Sequence, residues 1–163
     1  MNSIVWKVPY IPATEHYNTC YARQATALMA FWYTQIGRPH VTTNHIIQCT
    51  NRTKHGGNPQ DAFLPQCTTD AWNTHAIHWP TNTDLTWMIS KGPAIVGIHG
   101  HALLLLGYRK GWVVRDEEQY ILSNTTRFEY AMTATLSKWI FVQYKQTTRT
   151  DSKDASAVFI KKK

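Results

Sequence analysis

Three side chains in this sequence have the types and settings that acyl transfer needs. Cys20 opens a run in which Ala22, Ala25, Leu28, Met29 and Trp32 recur at helical spacing. A thiol in the first turn of a helix sits against the positive end of the dipole and near unpaired backbone N–H groups. That setting favours the thiolate, the form that attacks an amide carbonyl. His101 stands at the start of the apolar stretch Ala102–Tyr108, after Gly97-Ile-His-Gly100. Flanking glycine lets the backbone pack closely and leaves the imidazole facing a cleft, and histidine is the usual base beside a cysteine nucleophile. Asp116 ends the segment Trp112-Val-Val-Arg-Asp116. A hairpin turning near residue 109 sets residue 116 opposite about residue 102, where a carboxylate can accept the imidazole N–H and fix its tautomer.

Each of the three also has a plainer reading. Cys20 alone is a small buried hydrophobe, as most free cysteines are. His99 and His101 fall on one side of a strand and form a metal-ligating pair in principle, although no third ligand stands at a persuasive spacing. Asp116 alone is an exposed acid at a strand end, with Glu117 and Glu118 as solvated alternatives.

The elements that must position these groups are legible from period and punctuation. Val5–Pro12 carries β-type residues broken by Pro9 and Pro12 and reads as an extended edge segment. The helix opened by Cys20 should run to about Gln35 and stop at Gly37-Arg-Pro39, apolar enough to be the central helix. Thr43-Asn44 reads as the cap of a short helix carrying Ile46, Ile47 and Cys49. A helical stretch over 60–72 is interrupted by Pro65, and a further short helix over 84–90 has Thr83 or Asp84 as its cap and Gly92-Pro93 as its stop. After Pro93 the pattern turns to strands: Ala94–Ile98, His101–Tyr108 with both faces covered, Trp112–Arg115 as a hairpin partner, and Lys138–Tyr144. Trp87 and Trp139 are placed as core residues. Helices first and an antiparallel sheet second make an α+β fold.

Composition narrows the functional classes. A chain of 163 residues is one domain's worth of material and can bury a core without disulfide staples. With 43% hydrophobic and 17% charged residues it is neither a disordered chain nor a coiled coil. Its longest strong apolar run, Ala102–Leu106, falls far short of a membrane span. No secretory signal stands at Met1–Lys7, so the expectation is a soluble chain made in a cytoplasm. Lys+Arg number 17 against 10 Asp+Glu, a formal +7, partly concentrated in Lys161–Lys163. The remaining basic residues are scattered and form no nucleic-acid-binding stripe, so no nucleic-acid partner is expected. Three cysteines without a CxxC spacing argue against a disulfide framework and a four-thiolate zinc site, which leaves Cys49 and Cys67 as core thiols.

Taken together, Val8-Pro-Tyr-Ile-Pro12, Cys20 ahead of Ala25-Thr-Ala-Leu-Met29, Gly92-Pro-Ala-Ile-Val96, Gly100-His-Ala-Leu-Leu-Leu-Leu-Gly-Tyr108 and Val113-Val-Arg-Asp116 resemble papain-like cysteine peptidases. The resemblance is to the small bacterial branch of bacteriocin-leader peptidases and secreted effector proteases, over about residues 5–145. It implies a single papain-like domain over residues 1–145, a helical half led by the Cys20 helix against a β half carrying His101, with a polar basic tail over 146–163. It implies Cys20 as nucleophile, His101 as general base and acid, and Asp116 as the orienting acid, with no cofactor and no metal. The family's oxyanion glutamine, about six residues before the nucleophile, has no counterpart in Ala13–Thr19, which leaves the Cys20 N–H and Thr14, His16 or Asn18 as donors. The activity implied is hydrolysis of a peptide or amide bond, or deamidation or transamidation of glutamine with the same triad. The alternative is a catalytically silent module that binds a peptide or protein partner in the cleft. A bacterial toxin or effector delivered by a dedicated secretion system, and held inactive by a neutralising immunity-type protein, would suit the size and charge.

Overall fold

The change of period at Cys20 becomes helix α1, Cys20–Ile36, in a computed structural model that describes residues 3–12, 19–50, 56–98, 101–115, 119–121, 136–146 and 158–159. Every residue from Tyr21 to Phe31 is buried, the polar Arg23, Gln24 and Thr26 with the apolar ones, so the helix runs through the core. It ends where glycine permits the left-handed turn: Gly37 has φ 70°, and the N–H groups of Gly37 and Arg38 donate to the carbonyls of Thr34 and Tyr33.

Helix α2 spans Thr43–Thr50 and α3 spans Asn82–Lys91. Both begin one or two residues earlier than the sequence reading placed them. The Thr42 hydroxyl, not Thr43 or Asn44, accepts from the N–H of His45, and Thr81 forms a reciprocal capping box with Asp84. The stretch over 60–72 is not a longer helix. A 3₁₀ segment covers only Pro59–Phe63, capped by the Asn58 side chain, and Ala71–Ile77 is a strand, β2. The local sequence does not dictate that strand; its partner does, pairing Ala71 with Lys145 through to Ile77 with Trp139.

The strands are β1 (Ile4–Val5), β2, β3 (Ala94–Ile98), β4 (His101–Tyr108), β5 (Trp112–Arg115), β6 (Gln119–Ile121), β7 (Leu136–Gln146) and β8 (Val158–Phe159). They form one sheet in the order β2-β7-β3-β4-β5-β6, with β1 added on β4 and β8 on β7, all pairs antiparallel. The fold is α+β. Two residues of the expected tail, Val158 and Phe159, thus pair with Gln146 and Lys145.

Alternation along β4 explains its unbroken apolar run. Ala102, Leu104 and Leu106 join the core under α1 and α2 with Leu28, Met29, Trp32 and Ile46, whereas Leu103 and Leu105 join a second core with Leu85, Met88, Ile89 and Phe141 of α3 and β7. Trp87, placed in the core by sequence, is 43% exposed and lies edge-on against Phe141 and His75.

Cys49 and Cys67 are joined by a disulfide, contrary to the expectation of two core thiols. An odd cysteine count argued against a framework of bridges, but it permits one pair and one free thiol, Cys20. The bridge ties α2 to the turn that follows the 3₁₀ segment, where the Nε2 of His45 also lies 3.1 Å from the Cys67 carbonyl oxygen.

Two outcomes test this packing. At Gly107 a Cβ would stand 1.8 Å from the Ile4 carbonyl oxygen, so Gly107→Ala should displace β1 and cost about 1–3 kcal/mol in a denaturant titration. Reduction should expose the Cys49 and Cys67 thiols and lower stability by about 3 kcal/mol, the scale for a loop of this length; thiol titration should rise from one group per chain to three.

Candidate active site

Helix α1 delivers Cys20 to the sheet at its first residue. Thr19 precedes it without a side-chain cap to the helix, and no acid stands in the first turn. The opening N–H groups of α1 have no intrahelical partner, and the helix's own first turn sets no carboxylate against the dipole end beside the thiol. The Cys20 sulfur, half-buried, accepts a hydrogen bond from the N–H of Ala102 at 3.4 Å. That N–H belongs to the peptide linking His101 to Ala102. The first residue of α1 thus meets the backbone at the start of the strand that His101 opens. His101 is exposed and pairs in register with Ile98.

Strand β5 pairs with β4 from Tyr108–Trp112 to Leu104–Arg115, with a bulge between Leu105 and Gly107. Next to the turn the hairpin is symmetric about residue 110, and the bulge brings Val114 and Arg115 to within one residue of the symmetric register expected about residue 109; the Leu106 carbonyl accepts from the N–H of Trp6. Asp116, the expected orienting acid, follows the last described residue of β5 and lies outside the described residues. So do Thr14, His16 and Asn18, the expected oxyanion donors, and His99. Among the described residues no group of three His, Cys, Asp or Glu side chains is placed to hold a metal ion, and no helix is long and apolar enough to cross a membrane.

What the sequence reading passed over is a pair of buried arginines on the elements next to Cys20, one on α1 and one on β5. Arg23 lies one turn after Cys20 on α1, and Arg115 lies across from Leu104 on β5. Each is more than nine-tenths buried. Arg115 donates to the carbonyls of Val8 and Pro9 at 2.7 and 2.8 Å, and the Nε of Arg23 donates to the carbonyl of Ile11. Both guanidiniums lie against the ring of Tyr10, at 5.3 Å for Arg23 and 5.9 Å for Arg115. Burial lowers the pKa of Arg115, the neighbouring charge of Arg23 lowers it further, and Tyr10 opposes both. The legible signal was a cation interrupting an apolar run, in Tyr21-Ala-Arg-Gln-Ala25 and in Trp112-Val-Val-Arg115.

No protein-family model matches this chain, and no curated protein matches it.

The geometry makes Cys20 the one thiol open to an electrophile while the disulfide stands. Iodoacetamide on the unreduced protein should label Cys20 alone, read by peptide mass spectrometry; labelling of Cys49 or Cys67 under those conditions would contradict the pairing.

Proposed function

We propose that this chain is a cysteine-dependent hydrolase of the papain-like type, acting on a peptide or amide bond. The observation that carries the reading is the Cys20 sulfur on the N–H of Ala102, which joins the first residue of α1 to the strand opened by His101. In this reading the Cys20 thiolate attacks the carbonyl carbon, forming a C–S bond and an oxyanion. The Cys20 N–H and the open first turn of α1 face that oxyanion. His101 gives its proton to the leaving nitrogen as the C–N bond breaks, leaving a thioester. Water then gives a proton to His101 and attacks the thioester carbon; the C–S bond breaks, the acid is released, and the sulfur regains a proton. Asp116 orients the imidazole through its N–H.

With a glutamine side chain as substrate the same steps release ammonia and yield glutamate, or an amide when an amine replaces water. The Cys49–Cys67 bridge supports a site of action where disulfides persist, outside a reducing cytoplasm, in keeping with a toxin or effector that leaves the cell that makes it. A neutralising protein seated in the cleft would protect the cell that makes it.

The deciding experiment is mass spectrometry of a cell lysate incubated with the native protein and with Cys20→Ala. New peptide termini with the native protein alone identify a peptidase, and glutamine-to-glutamate conversion without new termini identifies a deamidase. Cys20→Ala and His101→Ala should each lower the rate by about 10⁶-fold, and Asp116→Ala by about 10⁴-fold, the losses that triads show. A protein whose lysate peptides match those of Cys20→Ala is instead a silent binding module.

A further inference from the structure

Arg23 and Arg115 present an electrostatic imbalance that the clamp on residues 8–11 does not resolve. Their described partners are neutral: the carbonyls of Val8, Pro9 and Ile11 and the ring of Tyr10. Among the described residues neither guanidinium meets a carboxylate, and the one ion pair there joins Arg38 to Asp70. The Nη2 of Arg23 is fully buried and has no hydrogen-bond partner. Two like charges are thus held around one tyrosine ring and away from water, an unfavourable arrangement that an anion would relieve.

The placement of the pair is as telling as its charge. Arg23 follows Cys20 by three residues, on the neighbouring face of the same helix. Arg115 and its register partner Leu104 lie on the face of the sheet that α1 covers, two residues along β4 from the amide that holds the sulfur. We propose that Arg23 and Arg115 form a carboxylate-binding site beside Cys20, which takes an acidic group of the peptide held in the cleft.

Guanidinium forks match the two oxygens of a carboxylate, and such charged hydrogen bonds are stronger than neutral ones. The Tyr10 ring, 57% exposed, forms the outer wall of the pair. Its cation–π contacts at an exposed position are weak beside charged hydrogen bonds, so an incoming carboxylate can displace it. That the carboxylate belongs to a substrate rests on the hydrolase reading; the site itself does not.

The test therefore uses the full chain carrying Cys20→Ala, which binds without turnover, and titration calorimetry at low salt. Two matched pairs separate the sources of a carboxylate. Capped aspartate against capped asparagine probes a side chain, and N-acetylalanine against its amide probes a chain terminus. In one pair the acid should bind at least about tenfold more tightly than the amide. In Arg115→Gln and Arg23→Gln proteins that keep the parent circular dichroism, that preference should vanish. Equal affinity for acid and amide in both pairs overturns the inference, as it would if an acid of the chain itself fills the site. A preference unchanged in folded Arg115→Gln overturns it too. The acid–amide ratio is read with both arginines present, so it decides even where an arginine variant does not fold. Hydrolysis without any acidic preference would overturn this site alone, whereas acid binding by a chain that hydrolyses nothing would leave the site and remove the hydrolase.

Discussion

Strand β4 must be dry on both faces, and most of the described architecture follows from that demand. A run of Ala102, Leu103, Leu104, Leu105 and Leu106 cannot face water on either side. It forces one helical layer, α1 with α2, over the even-numbered residues and another, α3, over the odd-numbered ones. Each fully buried leucine is worth about 1.5–3 kcal/mol, so the strand outweighs any single polar contact near it. The same strand accepts β3, β5 and β1 as partners, and its opening amide holds the Cys20 sulfur. The candidate site is therefore fixed by hydrophobic burial: the thiol meets the His101 strand because α1 has nowhere else to put its apolar surface.

This dependence explains which parts of the molecule can be read from the sequence. Helix α1 and strand β4 are read almost to the residue, because a long helical run of Ala, Leu, Met and Trp and a strand apolar throughout have no competing solution. The glycine stop at residue 37 is equally local. Strand β2 is not legible, since its residues gain strand geometry only from the edge of β7, far along the chain. The caps at Thr42 and Thr81 fall a residue or two from the expected ones, because Thr, Asn and Asp crowd both helix starts and only the backbone geometry chooses among them. The disulfide is hidden for a related reason: nothing local brings Cys49 and Cys67 together, and α2 and the turn beyond the 3₁₀ segment do so only after both pack on α1. At the site, type and chain order pointed to Cys20 and His101, while the buried arginines stayed unread because a single cation in an apolar run is more often a surface residue.

The arginines also account for the course of the N-terminal segment. Pro9 lacks an N–H and cannot continue the ladder that β1 begins on β4. Beyond Trp6, whose indole donates to the Ile89 carbonyl, the segment's carbonyls would be left without sheet partners. Arg115 and Arg23 supply the missing donors at Val8, Pro9 and Ile11, carrying the chain across the sheet toward the start of α1. Two guanidiniums are an expensive way to satisfy carbonyl groups, since neutral donors would do so without burying charge. Holding the strap alone is thus too small a return for that cost.

The pairing of Cys49 with Cys67 bears on how the free thiol of Cys20 survives oxidation. A chain with three cysteines in an oxidising medium can pair only two of them within itself, and any bridge that includes Cys20 removes the proposed nucleophile. Here the cysteines of α2 and of the turn after the 3₁₀ segment are held within bonding distance by elements that pack on the flank of α1, while Cys20 sits at its N-terminal end against β4. Folding itself therefore decides the pairing, by placing two sulfurs together and the third at the sheet. A chain oxidised before α1 and the sheet assemble would lose that choice, so the order of folding and oxidation sets the yield of protein with a usable thiol.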